Sequence, residues 1–332
     1  MIIKNFTLSL LSLLLISVSP SVTALQISDY KQLETLFKEV ASNTDYTVPQ
    51  LQTLFEQVEI KPLIIETMDR PAESTMTWTR YRKIFLTEKN ISNGAEFWRT
   101  NADTLARAEE KFGVPPEIIV ATLGVETRYG SNTGNFRVID ALATLALEYP
   151  RRSKYFSREL KNFLLLTDEH KLEPLAVTGS YAGAIGLPQF MPSSYRVYAV
   201  DFSNDGYSDL VNSIDDAIGS IASYYHEHGW KSGQPVSWLA TDVKSSANKL
   251  LVKKRKTDRP LNELLQKGFT LQEKVDPNTR VGLIKLEGDE SPEYRVAFDN
   301  FFVITRYNTS MLYATAVQLL GEEIKSSVQA IK

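Results

Sequence analysis

Apolar residues recur at spacings of three and four from residue 27 to about residue 112, as in Tyr30-Lys31-Gln32-Leu33-Glu34-Thr35-Leu36-Phe37-Lys38-Glu39-Val40, which predicts a series of amphipathic helices. Asp29 stands where the first of them would take an N-cap. The helical spacing continues through residues 142–166, broken at Tyr149-Pro150-Arg151-Arg152, where a proline ends one element and two arginines face solvent or a ligand. It returns over residues 214–225, ahead of Gly229. Past Pro235 the texture changes. Residues 236–243, 269–275, 280–286 and 295–306 are rich in Val, Ile, Thr and aromatics and read as strands, with Asp276-Pro277-Asn278 as a turn between two of them. Residues 307–314 open a last helix. The pattern predicts an α+β chain, mainly helical, carrying one small inserted antiparallel β domain.

One polar position stands out against this pattern. In Ile119-Val120-Ala121-Thr122-Leu123-Gly124-Val125-Glu126-Thr127-Arg128-Tyr129-Gly130, counting back from Glu126 by threes, fours and sevens gives Leu123, Thr122 and Ile119. The carboxylate therefore shares a face with residues that look inward. Pro115 and Pro116 suit the helix start, and Gly130 can supply the left-handed residue that ends it, which places Glu126 in the last turn. Apolar surroundings and the negative end of the helix dipole both disfavour the charged form. A carboxylic acid kept protonated in this way can act as a general acid on a glycosidic oxygen. The competing reading is a partly exposed Glu paired with Arg128 or a distant lysine.

The chain has 332 residues, enough for about two domains and a sizeable core. A formal net charge of -3 lacks the basic surface that nucleic acid binding requires, so that class of partner is set aside. Lys4, the apolar stretch centred on residues 8–16 and the small residues Val22-Thr23-Ala24 form the pattern of a cleaved export leader, residues 1–24, with the mature chain starting near Leu25. A retained membrane anchor is the alternative, but the apolar core falls short of the roughly 18 to 20 residues that span a bilayer. The absence of cysteine removes disulfides, thiolate metal sites and any cysteine on which a lipid anchor could be built.

Four further stretches carry candidate chemistry. Trp78-Thr79-Arg80-Tyr81-Arg82 mixes aromatic and basic residues in a way that suits a sugar or an anionic ligand, with helix packing as the alternative for Tyr81. Residues 179–192 combine glycines that allow close backbone approach with the neutral hydrogen-bonding groups of Ser180 and Gln189; a tight turn between helices is the other reading. Asp201-Phe202-Ser203-Asn204-Asp205-Gly206-Tyr207-Ser208-Asp209 places oxygen ligands at alternate positions with glycine sixth, as an EF-hand loop does for Ca²⁺. Position twelve is Asn212 where a bidentate Glu is usual, and a loop lengthened to Asp215 would restore a closing carboxylate. Lys253-Lys254-Arg255-Lys256 reads as a solvated face, with attraction to an anionic polymer as the lesser possibility. His226 and His228, two apart, do not share a helix face and read as structural.

Taken together, Gly124-Val125-Glu126-Thr127-Arg128-Tyr129-Gly130, Gly186-Leu187-Pro188-Gln189-Phe190-Met191-Pro192-Ser193-Ser194 and Arg306-Tyr307-Asn308-Thr309-Ser310 resemble the signature segments of the lytic murein transglycosylase B family. The likeness runs from about Tyr81 to Tyr313. It implies an N-terminal helical domain (25–109), a lysozyme-like catalytic core with an EF-hand-like loop (110–233), a small β domain (234–292) and a return to the core with a C-terminal helix (293–332). It also implies cleavage of the β-1,4 bond between N-acetylmuramic acid and N-acetylglucosamine, leaving 1,6-anhydromuramic acid ends. Carried over by motif, Glu126 is the sole acid and base. Ser180, Gln189, Tyr307 and Asn308 line the groove, while Tyr81, Arg151, Arg152, Tyr155, Phe190 and Tyr313 hold sugars, peptide or Glu126 itself. Asp201, Ser203, Asp205, the Tyr207 carbonyl and Asp215 would bind a structural Ca²⁺ or Na⁺; no cofactor is implied for catalysis. The implied setting is periplasmic, as a free monomer acting on peptidoglycan glycan strands, with other cell-wall enzymes as further partners. The rivals are a hydrolytic muramidase using a second carboxylate such as Asp140 or Glu148, and a non-catalytic wall-binding protein.

Overall fold

A computed structural model describes residues 23–69, 76–241, 245–271 and 274–330. The expected leader lies outside these residues except for Thr23 and Ala24, which pair as a short strand, β1 (Thr23–Ala24), with β2 (Glu59–Ile60). Among the described residues, six α-helices occupy the N-terminal third: α1 (Gln32–Ala41), α2 (Val48–Phe55), α3 (Pro62–Met68), α4 (Trp78–Phe85), α5 (Glu88–Thr100) and α6 (Ala102–Phe112). Their buried residues follow the apolar spacing, as Leu33, Phe37 and Val40 do on α1. Asp29 is not the N-cap of α1. It closes a separate 3-10 turn at Ile27–Asp29, and the cap position falls to Lys31, which makes no side-chain capping bond.

The middle of the chain supplies α7 (Pro116–Thr127), β3 (Phe136–Arg137), α8 (Val138–Glu148), α9 (Ser153–Glu169), β4 (Thr178–Gly179), α10 (Pro192–Tyr198) and α11 (Ile214–Glu227). Nine of the twelve residues of α7 are buried, from Pro116 to Thr127. A helix apolar on all sides must be surrounded, and α7 packs against α5, α6, α11 and α14 (Met311–Gln329). Gly124 permits one of these approaches, because a Cβ there would lie 2.5 Å from the Tyr129 hydroxyl oxygen. That hydroxyl instead reaches the Asn90 carbonyl of α5 at 2.9 Å.

The β region holds β5 (Ser237–Leu239), β6 (Arg259–Pro260), α12 (Leu261–Leu265), β7 (Arg280–Leu286) and β8 (Glu293–Ala297). These strands form one antiparallel sheet in the order β5-β8-β7-β6. Leu283 opposite Val296 sets the register that turns one face onto a separate apolar cluster with Leu261, Leu264 and Phe298. Two of the expected strands differ. Of residues 269–275, only Thr270 makes a bridge, to Thr241, and residues 272–273 fall outside the described set. The stretch 295–306 is a strand only to Ala297. Phe298 then caps α13 (Asp299–Tyr307), in which Asn300 through Thr305 are all buried. Aromatic and β-branched composition signals burial as much as strand, and here the tertiary packing decides for helix. The molecule is thus mainly helical with small antiparallel sheets.

Candidate active site

Glu126 is held at the end of α7 by an unusual terminus. The left-handed turn expected at Gly130 begins two residues earlier, with Arg128 at φ 49° and Tyr129 at φ 60° ahead of Gly130 at φ 90°. Such angles cost a non-glycine residue on the order of 1 kcal/mol each. Tyr129 offsets this by stacking on Phe97 at 5.7 Å and bonding Asn90. The tight turn leaves Glu126 half-buried, hence reachable from solvent, next to the fully buried Thr127.

From Thr127 onward, the three sequence segments close on one another. The Thr127 hydroxyl donates to the Leu187 carbonyl at 2.9 Å. The Gln189 amide, on a residue at φ 52°, donates to the carbonyls of Thr133 (3.0 Å) and Gly186 (2.9 Å). Tyr307 donates its hydroxyl to the Pro188 carbonyl. Tyr313 completes the circuit by donating to Glu126 Oε1 at 2.6 Å. The catalytic candidate is therefore fixed by neighbours that are distant in sequence and locked to each other, which is how a reactive group is kept in one geometry.

Aromatic rings form the wall beside it. Tyr307 stacks on Tyr313 (6.3 Å between centroids) and meets Phe190 at 5.7 Å, Tyr224 at 4.9 Å and Tyr225 at 5.6 Å. Burial pushes the hydroxyls of Tyr307 and Tyr313 well above the usual tyrosine range, and the nearby charge of Glu126 pushes the same way. They remain proton donors throughout the physiological range. Tyr225, fully buried, shares a hydrogen bond of 2.9 Å with Thr122 on α7. Tyr224 donates to the Arg306 carbonyl at 2.7 Å and so secures the end of α13, just before Tyr307 and Asn308. The sequence reading singled out neither Tyr224 nor Tyr225. The available signal was a tyrosine pair following Ala217, Gly219, Ser220, Ala222 and Ser223, small residues that let α11 approach closely while the rings fill the gap.

The remaining candidates divide by location. Ser180 accepts from the backbone N–H groups of Ala182 (3.3 Å) and Ala184 (3.0 Å), which shapes the turn leading into Gly186. Asn308 is half-buried and accepts from Ser310 N at 3.0 Å. Tyr81 is only 3% exposed and packs on Phe85 at 5.2 Å; one turn earlier on the same helix, Trp78 bonds Glu293 of the sheet at 3.2 Å. Arg152 lies over Tyr155 at 4.4 Å, and Tyr155 is close enough to Tyr224 to act on it electrostatically. Arg151 is exposed and is engaged by Asp69 at 3.2 Å. Asp140 and Glu148, the possible second carboxylates, are engaged elsewhere. Asp140 is buried against Arg137 (2.7 Å) and the Glu59 amide (3.0 Å), and Glu148 accepts from Tyr30.

The loop after α10 brings together part of the expected ligand set. Asp201 and Asp205 offer carboxylate oxygens within 4.8 Å of one another and of a third carboxylate, which is Asp216. Asp215, the expected closing ligand, is turned out of the loop. Its two oxygens accept from Thr104 (2.9 Å) and Arg107 (3.2 Å) on α6. Asp216 is fully buried and accepts from the N–H groups of Phe202 (2.7 Å), Ser203 (2.8 Å) and Asp209 (2.8 Å), so it shapes the loop from inside. Consecutive acidic residues on a helix point about 100° apart, and only one of them can face the loop. Ser203 donates to Asp201 at 3.2 Å, and Tyr207 is exposed with its N–H on Asp205 at 3.3 Å. Gly206 takes φ 108°, a bend that other residues rarely adopt. Clustered hard oxygens around a sharp bend fit a cation such as Ca²⁺.

A helical core with one reachable carboxylate at a helix end, an aromatic wall and a network of neutral hydrogen-bonding groups defines the lysozyme-like class of glycan-cleaving enzymes. Comparison with known proteins makes the assignment specific. A model of the transglycosylase SLT domain matches residues 28–322, and the chain belongs to this family of lytic transglycosylases, lyases that act on peptidoglycan. The membrane-bound lytic murein transglycosylase B of Escherichia coli is 42% identical over 284 residues, covering 83% of this chain and 77% of that protein. The structure of the E. coli lytic transglycosylase Slt35 in complex with calcium superposes with a TM-score of 0.83 at 39% identity, covering 91% of this chain and 95% of that one. Pseudomonas aeruginosa SltB3 in complex with NAG-NAM-pentapeptide matches at a TM-score of 0.78 and 28% identity, covering 89% and 79%.

Proposed function

We propose that the enzyme cleaves the MurNAc-GlcNAc bond of peptidoglycan by a single-carboxylate route that ends in 1,6-anhydromuramic acid. The observation that carries this reading is the position of Glu126, held by Tyr313 at 2.6 Å while Asp140 and Glu148 are committed to other partners. Most glycosidases need a second carboxylate as nucleophile or base, but a 2-acetamido sugar can supply its own carbonyl oxygen to stabilise the oxocarbenium-like centre. Glu126 gives its proton to the glycosidic oxygen as the C1–O bond breaks. The resulting carboxylate then takes the proton of the C6 hydroxyl as that oxygen bonds C1 of the same muramyl residue. Glu126 ends protonated, as it began, and water is not consumed. Tyr307, Asn308, Gln189, Ser180 and Phe190 position the sugars. Arg152 and Tyr155 lie where they can extend the binding surface, whereas Arg151 contributes only if it leaves Asp69.

The loop at Asp201 holds a structural Ca²⁺ in this reading. Asp201, Asp205, Ser203 and the Tyr207 carbonyl are the proposed ligands, and Asp215 joins them only by releasing Thr104 and Arg107. The leader at residues 1–24 fits delivery to the periplasm, where the substrate lies.

Glu126→Gln tests the acid. The amide keeps the shape but delivers no proton, so folding and sedimentation with murein should persist while cleavage falls by at least about 100-fold. Substantial residual turnover places the acid elsewhere.

A further inference from the structure

The sequence Lys253-Lys254-Arg255-Lys256 is a concentration of positive charge in a chain of net charge -3. The structure makes it a defined ledge. Val252 N bonds the Leu283 carbonyl at 2.9 Å, Thr257 bonds Asp299 at 2.8 Å and Asp258 N bonds the Val281 carbonyl at 3.0 Å. Between these ties, Arg255 Nε donates to the Thr309 carbonyl at 2.8 Å. Thr309 directly follows Asn308, so the ledge is fastened to the segment that carries Tyr307 and leads to Tyr313. Lys249, Lys253, Lys254 and Lys256 line a cavity of about 320 Å³. All four are exposed, and none takes part in an ion pair among the described residues. Asp258 and Arg259 also line the cavity; Arg259 pairs with both Asp258 and Glu263, at 2.8 and 3.2 Å, which leaves one negative charge against the four lysines.

Four unpaired ammonium groups around one cavity create a local positive potential that attracts anions. We infer that this ledge binds the carboxylates of the peptide stems on the strand being cleaved. It thereby gives the enzyme a preference for peptide-bearing over bare glycan. The inference rests on the peptidoglycan reading above. Its structural basis is the Arg255–Thr309 bond, which ties the ledge to the segment that carries Tyr307 and Asn308. Lysine suits this task, since a mobile point charge can follow carboxylates at varied positions.

The test is the triple variant Lys253→Gln, Lys254→Gln, Lys256→Gln, leaving Arg255 and its bond intact. Exposed substitutions of this kind barely change stability, and an unaltered Tm confirms that. Kinetics are compared on glycan strands carrying peptides and on the same strands stripped by an amidase. On peptide-bearing strands KM should rise about five- to tenfold at low salt with kcat unchanged, and its salt dependence should flatten. On stripped strands neither constant should move. Equal changes on both substrates, or none on either, overturn the inference. Binding to vesicles of anionic phospholipid that the triple variant loses, with KM on peptide-bearing strands unaltered, also overturns it and assigns the ledge to membranes. Should wild type cleave neither substrate, the catalytic reading fails alone: sedimentation of Glu126→Gln, with and without the triple change, on peptide-bearing strands still decides about the ledge.

Discussion

In the proposed chemistry, a contact between Tyr313 and Glu126, 187 positions apart, orients the acid. A phenol donating to a protonated carboxyl makes a bond worth about 0.5–1.5 kcal/mol, which becomes charge-assisted and worth about 1.5–3 kcal/mol once Glu126 has given up its proton. Tyr313→Phe keeps the ring against Tyr307 and removes only that bond. Turnover should fall by about tenfold, less than for Glu126→Gln, with little change in KM for murein; unchanged turnover would show that Tyr313 packs without orienting the acid. At this scale the sequence was informative where a residue contradicted its surroundings. Glu126 was conspicuous in an apolar helix bounded by Pro116 and Gly130. Asp216 was not, because Asp215 beside it had the same chemistry and only the helix phase separates them. Tyr224 and Tyr225 looked like ordinary core residues, since their roles come from partners on α7 and α13.

Among the elements, the loop between α10 and α11 is where the proposed ion would act. The carboxylates of Asp201, Asp205 and the buried Asp216 approach within 4.8 Å, and a cation there would relieve their mutual repulsion. Added Ca²⁺ should raise Tm by preferential binding to the folded state, a stabilisation of about 2.7 kcal/mol at a hundredfold excess over Kd. Asp201→Ala with Asp205→Ala should abolish that gain and leave activity well below the melting range in place. Immediate loss of all turnover on chelation contradicts a purely structural ion. The helix α13 shows where element reading stops. Phe301-Phe302-Val303-Ile304-Thr305 has strand composition, and only its enclosure by the core makes a helix the better solution. The strand at Arg280–Leu286, mostly buried, was legible to the residue, with the turn at Asp276-Pro277-Asn278 just before it. The first helices were legible as a class, because their solvent faces stay polar, but not in their bounds, since Asp29 closes a separate 3-10 turn and α1 starts at Gln32.

For the whole molecule, the aromatic interior sets an alkaline limit. Tyr225, Tyr307 and Tyr313 all titrate above the usual value because burial disfavours the phenolate. A tyrosine raised in the folded state stabilises it fully below the unfolded value of about 10. Above that, the unfolded chain loses protons first and stability falls until the folded value is reached. Tm measured from pH 7 to 11 should therefore be flat to about pH 9 on this account and drop beyond about pH 10. A drop beginning near pH 8 points to other groups.

The proposed route transfers the muramyl residue to its own internal hydroxyl with no water consumed, and the reaction products test it directly. Murein digested in water enriched in oxygen-18 and examined by mass spectrometry should give muramyl ends that are anhydro and carry no label. Reducing ends with one labelled oxygen as the main product would contradict the single-carboxylate route and restore a hydrolytic mechanism, even with Glu126 confirmed as the acid.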